Sequence, residues 1–559
     1  MPMVGERLHG TDGIRGKISQ NLDGKNPIEK LILQREFSPS LAYLIGLASG
    51  AVISESTGGS ISSQEYKEGP LVVIGWDRRD GNAMIVDELE KGLSQAGCRT
   101  QRVGEVPTPG LHHCLLLLNA DAGMMVTASH NPASDSGVKL FDCNGYKSMP
   151  EFEDVISMQA WGYSTESIDS PNECGEKLPP FDGMRAYRRH LKGWLQLIST
   201  TVGVSPDTLS DSACEQGLIL DCSGGAATDW LSFGLTRRGL MCEEVSSRDK
   251  PINDNCGAGE FNSTDSWSNH ELMEREQSHA LLEEIGNRLR ENDGMTPWSD
   301  GQLVAAALDG DGDRCLLLEA TKKGIKIVDG DQMAFDWLNS LLGDDNDDLT
   351  LAHSIESDLF LPATCAKVGI DTTQTAIGDR WLSAALSANI GNAGQLIQQK
   401  LMPKLCGCED SGHIVMPVPH PNKIDHWGLA GDGAATLLAQ LYARAKLGEN
   451  RTEIARGWKT RQPVKGTDRT LWDGKNELAD EVVQLIEEAL PAATLNRESI
   501  AGETSLLLLE GSIDGERLSI GIRNSGTEAK TSVTIKSENT PFDELATQLV
   551  NFLNERLVP

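Results

Sequence analysis

The chain has 559 residues, more than one ordinary core accommodates, so three or four domains are expected. Hydrophobic residues make up 39% and Gly and Pro are at ordinary levels, which places the chain among folded globular proteins. A net charge of −32 repels nucleic acid and anionic membranes, so neither is an expected partner, and any site for a phosphorylated ligand must gather Arg, Lys and His against the overall field.

In chain order, the N-terminus MPMVGERLHG has no apolar core and is not expected to be a signal peptide. The mostly apolar stretch Leu41 to Ile53 is too short to span a bilayer, and a cytoplasmic protein is expected. Leu71 to Gly75 reads as a buried strand, Asn82 to Gln95 as a helix stopped at Gly97, and Gly123 to Val126 as a short strand. Residues 150–180, acidic and containing Pro, Ser and Gly, read as a connection. A second unit opens with the strand Gly217 to Asp221, and Cys-Ser-Gly-Gly-Ala-Ala after it can open a helix. Residues 261–300 are polar and read as a surface insertion with one helix from about His270 to Arg290, and a third unit starts with Val304 to Leu308. Its later helix places Ala434, Leu437, Leu438 and Leu441 on one face. Strand-like runs at 504–510, 516–522 and 531–536, between helices at about 478–490 and 541–556, predict a small α+β domain. The twelve cysteines include no C-x-x-C pair and no zinc spacing; reduced thiols are expected.

Five segments carry chemistry. Asp309-Gly-Asp-Gly-Asp-Arg314 sets three carboxylates at alternate positions of a tight loop after a buried strand, a set able to converge on one hard cation. A calcium EF-hand would need Gly at the sixth position and Glu at the twelfth, where Arg314 and Ala320 stand; an Asx-rich turn with solvated charges is the plainer alternative. Thr127-Ala-Ser-His-Asn-Pro132 contains Ser129, without the G-x-S-x-G surroundings of a hydrolase nucleophile. Read alone, Ser129 caps a helix; joined to a metal loop and to Lys139, it becomes a candidate phosphate carrier whose phosphate would supply the dianion the metal needs. Arg523-Asn-Ser-Gly-Thr527 offers a guanidinium, the hydroxyls of Ser525 and Thr527, and backbone made accessible by Gly526: a small phosphate cradle. In Gly407-Cys-Glu-Asp-Ser-Gly-His413, the residues Glu409, Ser411 and His413 alternate and would share one face of an extended chain, suited to sugar hydroxyls, or else form a structural loop. His9-Gly-Thr-Asp-Gly-Ile-Arg-Gly16 forms a sharp loop from which Arg15 can face an anion.

These five segments, in this order, resemble the α-D-phosphohexomutase family, across nearly the whole chain. Ile252-Asn-Asp-Asn-Cys-Gly257, Val328-Asp-Gly-Asp331 and Ile377-Gly-Asp-Arg380 are similar to the phosphoglucosamine mutase versions of their loops. The resemblance implies three related α/β domains with mixed sheets plus a C-terminal α+β domain, divided here as 1–180, 181–300, 301–450 and 451–559, around a central cleft. It implies interconversion of glucosamine 6-phosphate and glucosamine 1-phosphate, with phosphomannomutase/phosphoglucomutase as the near alternative and a non-catalytic sugar-phosphate sensor as the more distant one. It further implies one Mg²⁺ per active site on Asp309, Asp311, Asp313 and the phosphate of Ser129, with a hexose bisphosphate as activator and intermediate. Arg15 and Arg314 would stabilise the transferring group, His130 would orient it, and Lys139, desolvated near cations, would act as general acid/base. Glu409, Ser411 and His413 would hold the sugar, and Arg523, Ser525, Gly526 and Thr527 the second phosphate; the partner is a hexose phosphate, and the chain a monomer or homodimer. This sequence departs from the family at Ser136, Cys408, Asn524 and Ala529, and Asp410 fills the variable place of the sugar loop.

Overall fold

Three of the four β-sheets in the computed structural model repeat one strand order. The structure describes residues 7–10, 12–20, 25–58, 69–165, 175–205, 217–274, 276–343, 348–390, 396, 399–424, 426–525 and 529–558. In the first sheet Leu71–Trp76 lies between Arg99–Glu105 and Ala122–Val126, parallel to both, and Asp135–Asp142 returns antiparallel beside Ala122–Val126. In the second, Leu218–Asp221 lies between Cys242–Glu244 and Leu303–Leu308, and Cys315–Thr321 returns. In the third, Leu349–Ser354 lies between Ile370–Thr375 and Leu405–Cys408, and Ile414–Pro419 returns. The central strands are near-continuous apolar runs, as expected of parallel strands covered on both faces; all six residues of Leu303–Leu308 are buried.

One consequence positions the site. In each sheet the turn joining the third parallel strand to its antiparallel return emerges at a carboxyl end, where open α/β sheets bind ligands. These turns are residues 127–134, 309–314 and 409–413, so three of the sequence motifs occupy equivalent places in three related units. The fourth sheet is antiparallel throughout, ordered Trp458–Lys465, Lys530–Ser537, Glu516–Asn524, Leu506–Ile513, Ala493–Glu498. Helices Glu477–Ala489 and Asp543–Leu557 bury Val482, Ile486, Leu549 and Leu553 against it. The expected architecture of three mixed α/β units and a C-terminal α+β domain is the observed one.

Several local expectations are corrected. Strand Leu303–Leu308 pairs with Leu218–Asp221, so residues 301–328, metal loop included, belong with the second sheet; the pairing does not follow a boundary at 300. Residues 150–165 form the helix Pro150–Thr165 rather than a connection: Ile156, Ala160 and Trp161 recur at helical spacing and are buried, while Glu151 and Asp154 are exposed. The segment 261–300 is not a surface insertion with one helix. Ser266–Ser268 extends the second sheet beside Gly324–Val328, and the helices Asn269–Glu274 and Ala280–Glu291 bury Leu272, Ile285 and Leu289. The turn after Asp221 does not open a helix directly; Trp230–Thr236 begins later. The apolar stretch at 41–53 lies in the core helix Pro39–Gly58, and among the described residues no helix is long and apolar enough to cross a membrane.

Candidate active site

Ser129 stands at the first of the three equivalent turns with φ 50°, a left-handed conformation that costs a non-glycine residue about 1 kcal/mol or more. Local bonds hold it there. Its amide donates to Thr127 Oγ1 at 2.8 Å, and its carbonyl accepts from Arg79 Nη2 at 2.5 Å and from Asn253 Nδ2, in the second unit, at 2.7 Å. Arg79 also donates to the carbonyls of Asn131, Pro132 and Asp135 and is paired with buried Asp77 at 3.0 Å. The side chain of Ser129 is thereby aimed across the interface: Oγ accepts from Arg15 Nη2 at 3.1 Å and donates to Asp311 Oδ2 at 3.3 Å.

The metal loop meets it closely. A Cβ on Gly310 would stand 2.9 Å from the Ser129 carbonyl and 2.7 Å from Ile252, so only glycine allows this approach. Donor oxygens of Asp309, Asp311 and Asp313 lie within 4.8 Å of one another, all buried. Asp309 Oδ2, Asp311 Oδ1 and Asp313 Oδ1 each lack a hydrogen-bond partner. Burial, reinforced by Asp313 and Asp311, raises the Asp309 carboxyl well above its ordinary range. Three converging carboxylates with unpaired oxygens are an oxygen donor set that fits a hard divalent cation such as Mg²⁺.

Residues 6–166 match the family description "Phosphoglucomutase/phosphomannomutase, alpha/beta/alpha domain I", and residues 329–460 match its domain III. A phosphoglucosamine mutase of Clostridium perfringens (strain SM101 / Type A) is 27% identical over 569 aligned positions, covering 98% of this chain and 99% of that protein. A second, from Salinispora arenicola, is 28% identical and covers 80% of this chain and 81% of its own length. A phosphoglucomutase/phosphomannomutase family protein of Burkholderia thailandensis shares the fold at a TM-score of 0.61, with 17% identity over 100% of this chain and 97% of that one. The chain belongs to the α-D-phosphohexomutase family.

Within this phosphohexomutase, the remaining expected residues fall into three groups. Arg314 lies on the metal loop, its Nε 3.9 Å from Asp309 Oδ2, and His130 follows Ser129. Burial lowers the His130 imidazole well below its ordinary value, helped by Arg314 and Arg15, so it is a neutral ring beside the site. Lys139 Nζ donates to Asp311 Oδ2 at 2.7 Å and Asp313 Oδ2 at 2.9 Å and lies 3.0 Å from Asp12 Oδ2. Burial alone would lower its pKa, but Asp12, Asp311 and Asp313 raise it well above the usual lysine value. Without a cation on the aspartate trio, these three carboxylates outweigh Arg15 and Lys147 and favour the charged ammonium, against the expectation of a lysine poised to lose its proton.

The segment 409–413 is a closed turn rather than an extended strand: the Glu409 amide donates to the His413 carbonyl at 3.0 Å and Gly412 has φ 87°. Glu409 Oε1 accepts from the Gly378 amide at 2.6 Å, and Ser411 Oγ lies 3.4 Å from Glu409 Oε2. His413 lies 3.4 Å from Asp379 at the metal loop's edge; burial opposes its charge, but Asp313 and Asp379 raise its pKa above the ordinary value. Arg523 is brought beside Glu356 of the third unit at 3.5 Å, and the Ser525 amide donates to the Lys530 carbonyl. Gly526 and Thr527 lie outside the described residues.

Sequence reasoning missed Arg79, Asn253, Asp12, Lys147 and Asp379. Lys147 is buried and bridges Asp12 at 2.8 Å, Asp379 at 3.0 Å and Asp313 at 3.5 Å. Asp12 lies inside the HGTDGIRG segment and Asp379 inside Ile377-Gly-Asp-Arg380, so the segments were in view but not their acids. Asp410 accepts from Lys459 Nζ at 2.6 Å, tying the turn to the fourth sheet, and Ser136 Oγ donates to Asn82 Oδ1 at 2.7 Å.

Proposed function

We propose that this phosphohexomutase moves a phosphoryl group between O6 and O1 of a hexose phosphate through phospho-Ser129 and a bisphosphorylated sugar, with glucosamine 6-phosphate and glucosamine 1-phosphate as the pair. The observation that carries the reading is the placement of Ser129 Oγ, 3.1 Å from Arg15 and 3.3 Å from an aspartate of the buried trio. Its likeness to curated phosphoglucosamine mutases supports the choice of sugar.

Asp309, Asp311, Asp313 and the phosphate on Ser129 would hold Mg²⁺, which when bound supplies positive charge that polarises the transferring group. The chain's own residues do the rest. Arg15, already on Ser129 Oγ, and Arg314 offset the charge spread over the phosphoryl oxygens. In the forward half, the P–Oγ bond of phospho-Ser129 breaks as a P–O bond to the substrate hydroxyl forms, and the proton of that hydroxyl ends on the freed Ser129 Oγ. The bisphosphate then turns over, and its other phosphate returns to Ser129. Lys139 serves as a fixed cation among Asp12, Asp311 and Asp313. Glu409, Ser411 and His413 hold the sugar hydroxyls, and Arg523 with Ser525, Gly526 and Thr527 holds the phosphate that is not transferring. Turnover of the intermediate requires the fourth domain to loosen, and Lys459–Asp410 together with the Arg461–Glu356 pair is the contact that must give.

The test is a panel of glucosamine, N-acetylglucosamine, glucose and mannose 6-phosphates compared by kcat/KM. The highest value for glucosamine 6-phosphate is expected. A strong preference for glucose or mannose phosphates would replace the sugar and keep the reaction class; turnover of none would leave a sugar-phosphate sensor.

A further inference from the structure

Against the chain's excess of acid, one face gathers cations that nothing in the mutase site uses. Helix Gly183–Val202 presents Arg185, Arg188, Arg189 and Lys192 at three- and four-residue spacing, so all four lie along one face. Arg238 faces them from the end of helix Trp230–Thr236. Among the described residues none of the five makes an ion pair, although the chain carries 82 acidic residues against 50 Lys and Arg. Four like-charge pairs at helical spacing repel one another, each costing about 0.2–0.5 kcal/mol.

These cations rim a concavity of 470 Å³, inside the range of about 300–1,000 Å³ usual for small-ligand pockets. Its floor is apolar: Leu191, Leu195, Leu231 and Leu235, with Leu438 from the helix behind and the indole of Trp230. The Arg188 guanidinium lies 5.8 Å from the centre of the Trp230 ring. One carboxylate, Asp182, shares the rim. The lining contains none of Ser129, the aspartate trio, Glu409, His413 or Arg523, so the concavity is separate from the mutase site.

From this juxtaposition of an unpaired cationic rim and an aromatic and aliphatic floor, we propose that the groove binds a nucleotide-like organic polyphosphate, its phosphates along Arg185, Arg188, Arg189 and Lys192 and its flat body against Trp230 and the leucines. Guanidinium groups pair with phosphate oxygens bidentately, and several side by side match a chain of phosphates better than a single one. A floor able to take a base distinguishes the groove from a merely basic surface.

The test is equilibrium dialysis of ATP with the full-length enzyme, in excess glucose 1,6-bisphosphate to fill the mutase site. One ATP per chain is expected, with affinity falling about tenfold to a hundredfold in Arg188→Glu/Lys192→Glu. The same variant should keep its mutase rate, which verifies its fold. Equal affinity in that variant would overturn the proposal, as would loss of ATP binding when the bisphosphate is present. Inorganic tripolyphosphate binding as tightly as ATP would also overturn it, because the floor would then contribute nothing. So would a poly-glutamate peptide that outcompetes ATP, which would assign the groove to an acidic protein segment.

Discussion

Arg79 is the residue on which the Ser129 loop depends most, and its removal has a calculable effect. Its guanidinium donates to the carbonyls of Ser129, Asn131, Pro132 and Asp135 and pairs with Asp77, with no exposed side-chain surface on either partner. Arg79→Ala leaves the Asp77 carboxylate buried without its counter-charge. Breaking one side of a buried pair costs about 3–5 kcal/mol, equivalent to two to four powers of ten in a local opening equilibrium. Asp77 is already raised by burial, with Arg79 the leading opposing influence, so the variant should take up a proton there rather than stay charged. Hydrogen exchange by mass spectrometry reads the result: amides of strand Ala122–Val126 and of the loop after it should exchange about a hundredfold faster or more. Arg79→Lys should fall between, because a single ammonium has three donors for five acceptors. Exchange in Arg79→Ala within about threefold of wild type would refute the reasoning, because the carbonyls would then be held by something else.

Arg523→Ala should mainly raise KM, because Arg523 lies beside Glu356 and away from the Ser129 contacts; an unchanged KM would remove it from the phosphate site. Asp309→Asn and Asp313→Asn should each weaken Mg²⁺ binding measured by calorimetry, since each takes away a carboxylate with an oxygen that has no hydrogen-bond partner. Burial raises Asp432 from 3.8 to about 6, so its contribution to stability is present below pH 4 and is lost as pH rises through 6, about 3 kcal/mol in all. Asp432→Asn keeps an acceptor for Tyr187 and the helix cap, so its melting temperature relative to wild type should climb between pH 4 and 7; a constant difference would contradict this.

How far the sequence could be read follows from where each contact is made. Asp309, Asp311 and Asp313 are neighbours in sequence, and the Gly-rich spacing alone brings them together. Ser129 became legible only beside that loop, and no spacing rule places Asp311 next to it, 182 residues away. Asn253 reaches Ser129 across 124 residues and Lys147 joins acids from three units; such partners are set by how the units pack. The helix at 150–165 was hidden by Glu151, Glu153 and Asp154, which dominate composition while Ile156, Ala160 and Trp161 make the core. The second unit's extent was hidden by an excursion of some eighty residues between Leu218–Asp221 and its parallel neighbour Leu303–Leu308. The charge balance at Lys139 was likewise hidden: its burial and the nearby cations were inferred, but not the carboxylates of Asp12, Asp311 and Asp313 that outweigh them.

The most direct test of the central claim is phosphoryl transfer to one serine. Enzyme mixed with glucose 1,6-bisphosphate labelled in both phosphates, then digested and sequenced by mass spectrometry, should carry one phosphate per chain on Ser129, and Ser129→Ala should carry none while still binding Mg²⁺. Label on another residue, or wild-type mutase turnover by Ser129→Ala, would contradict the account.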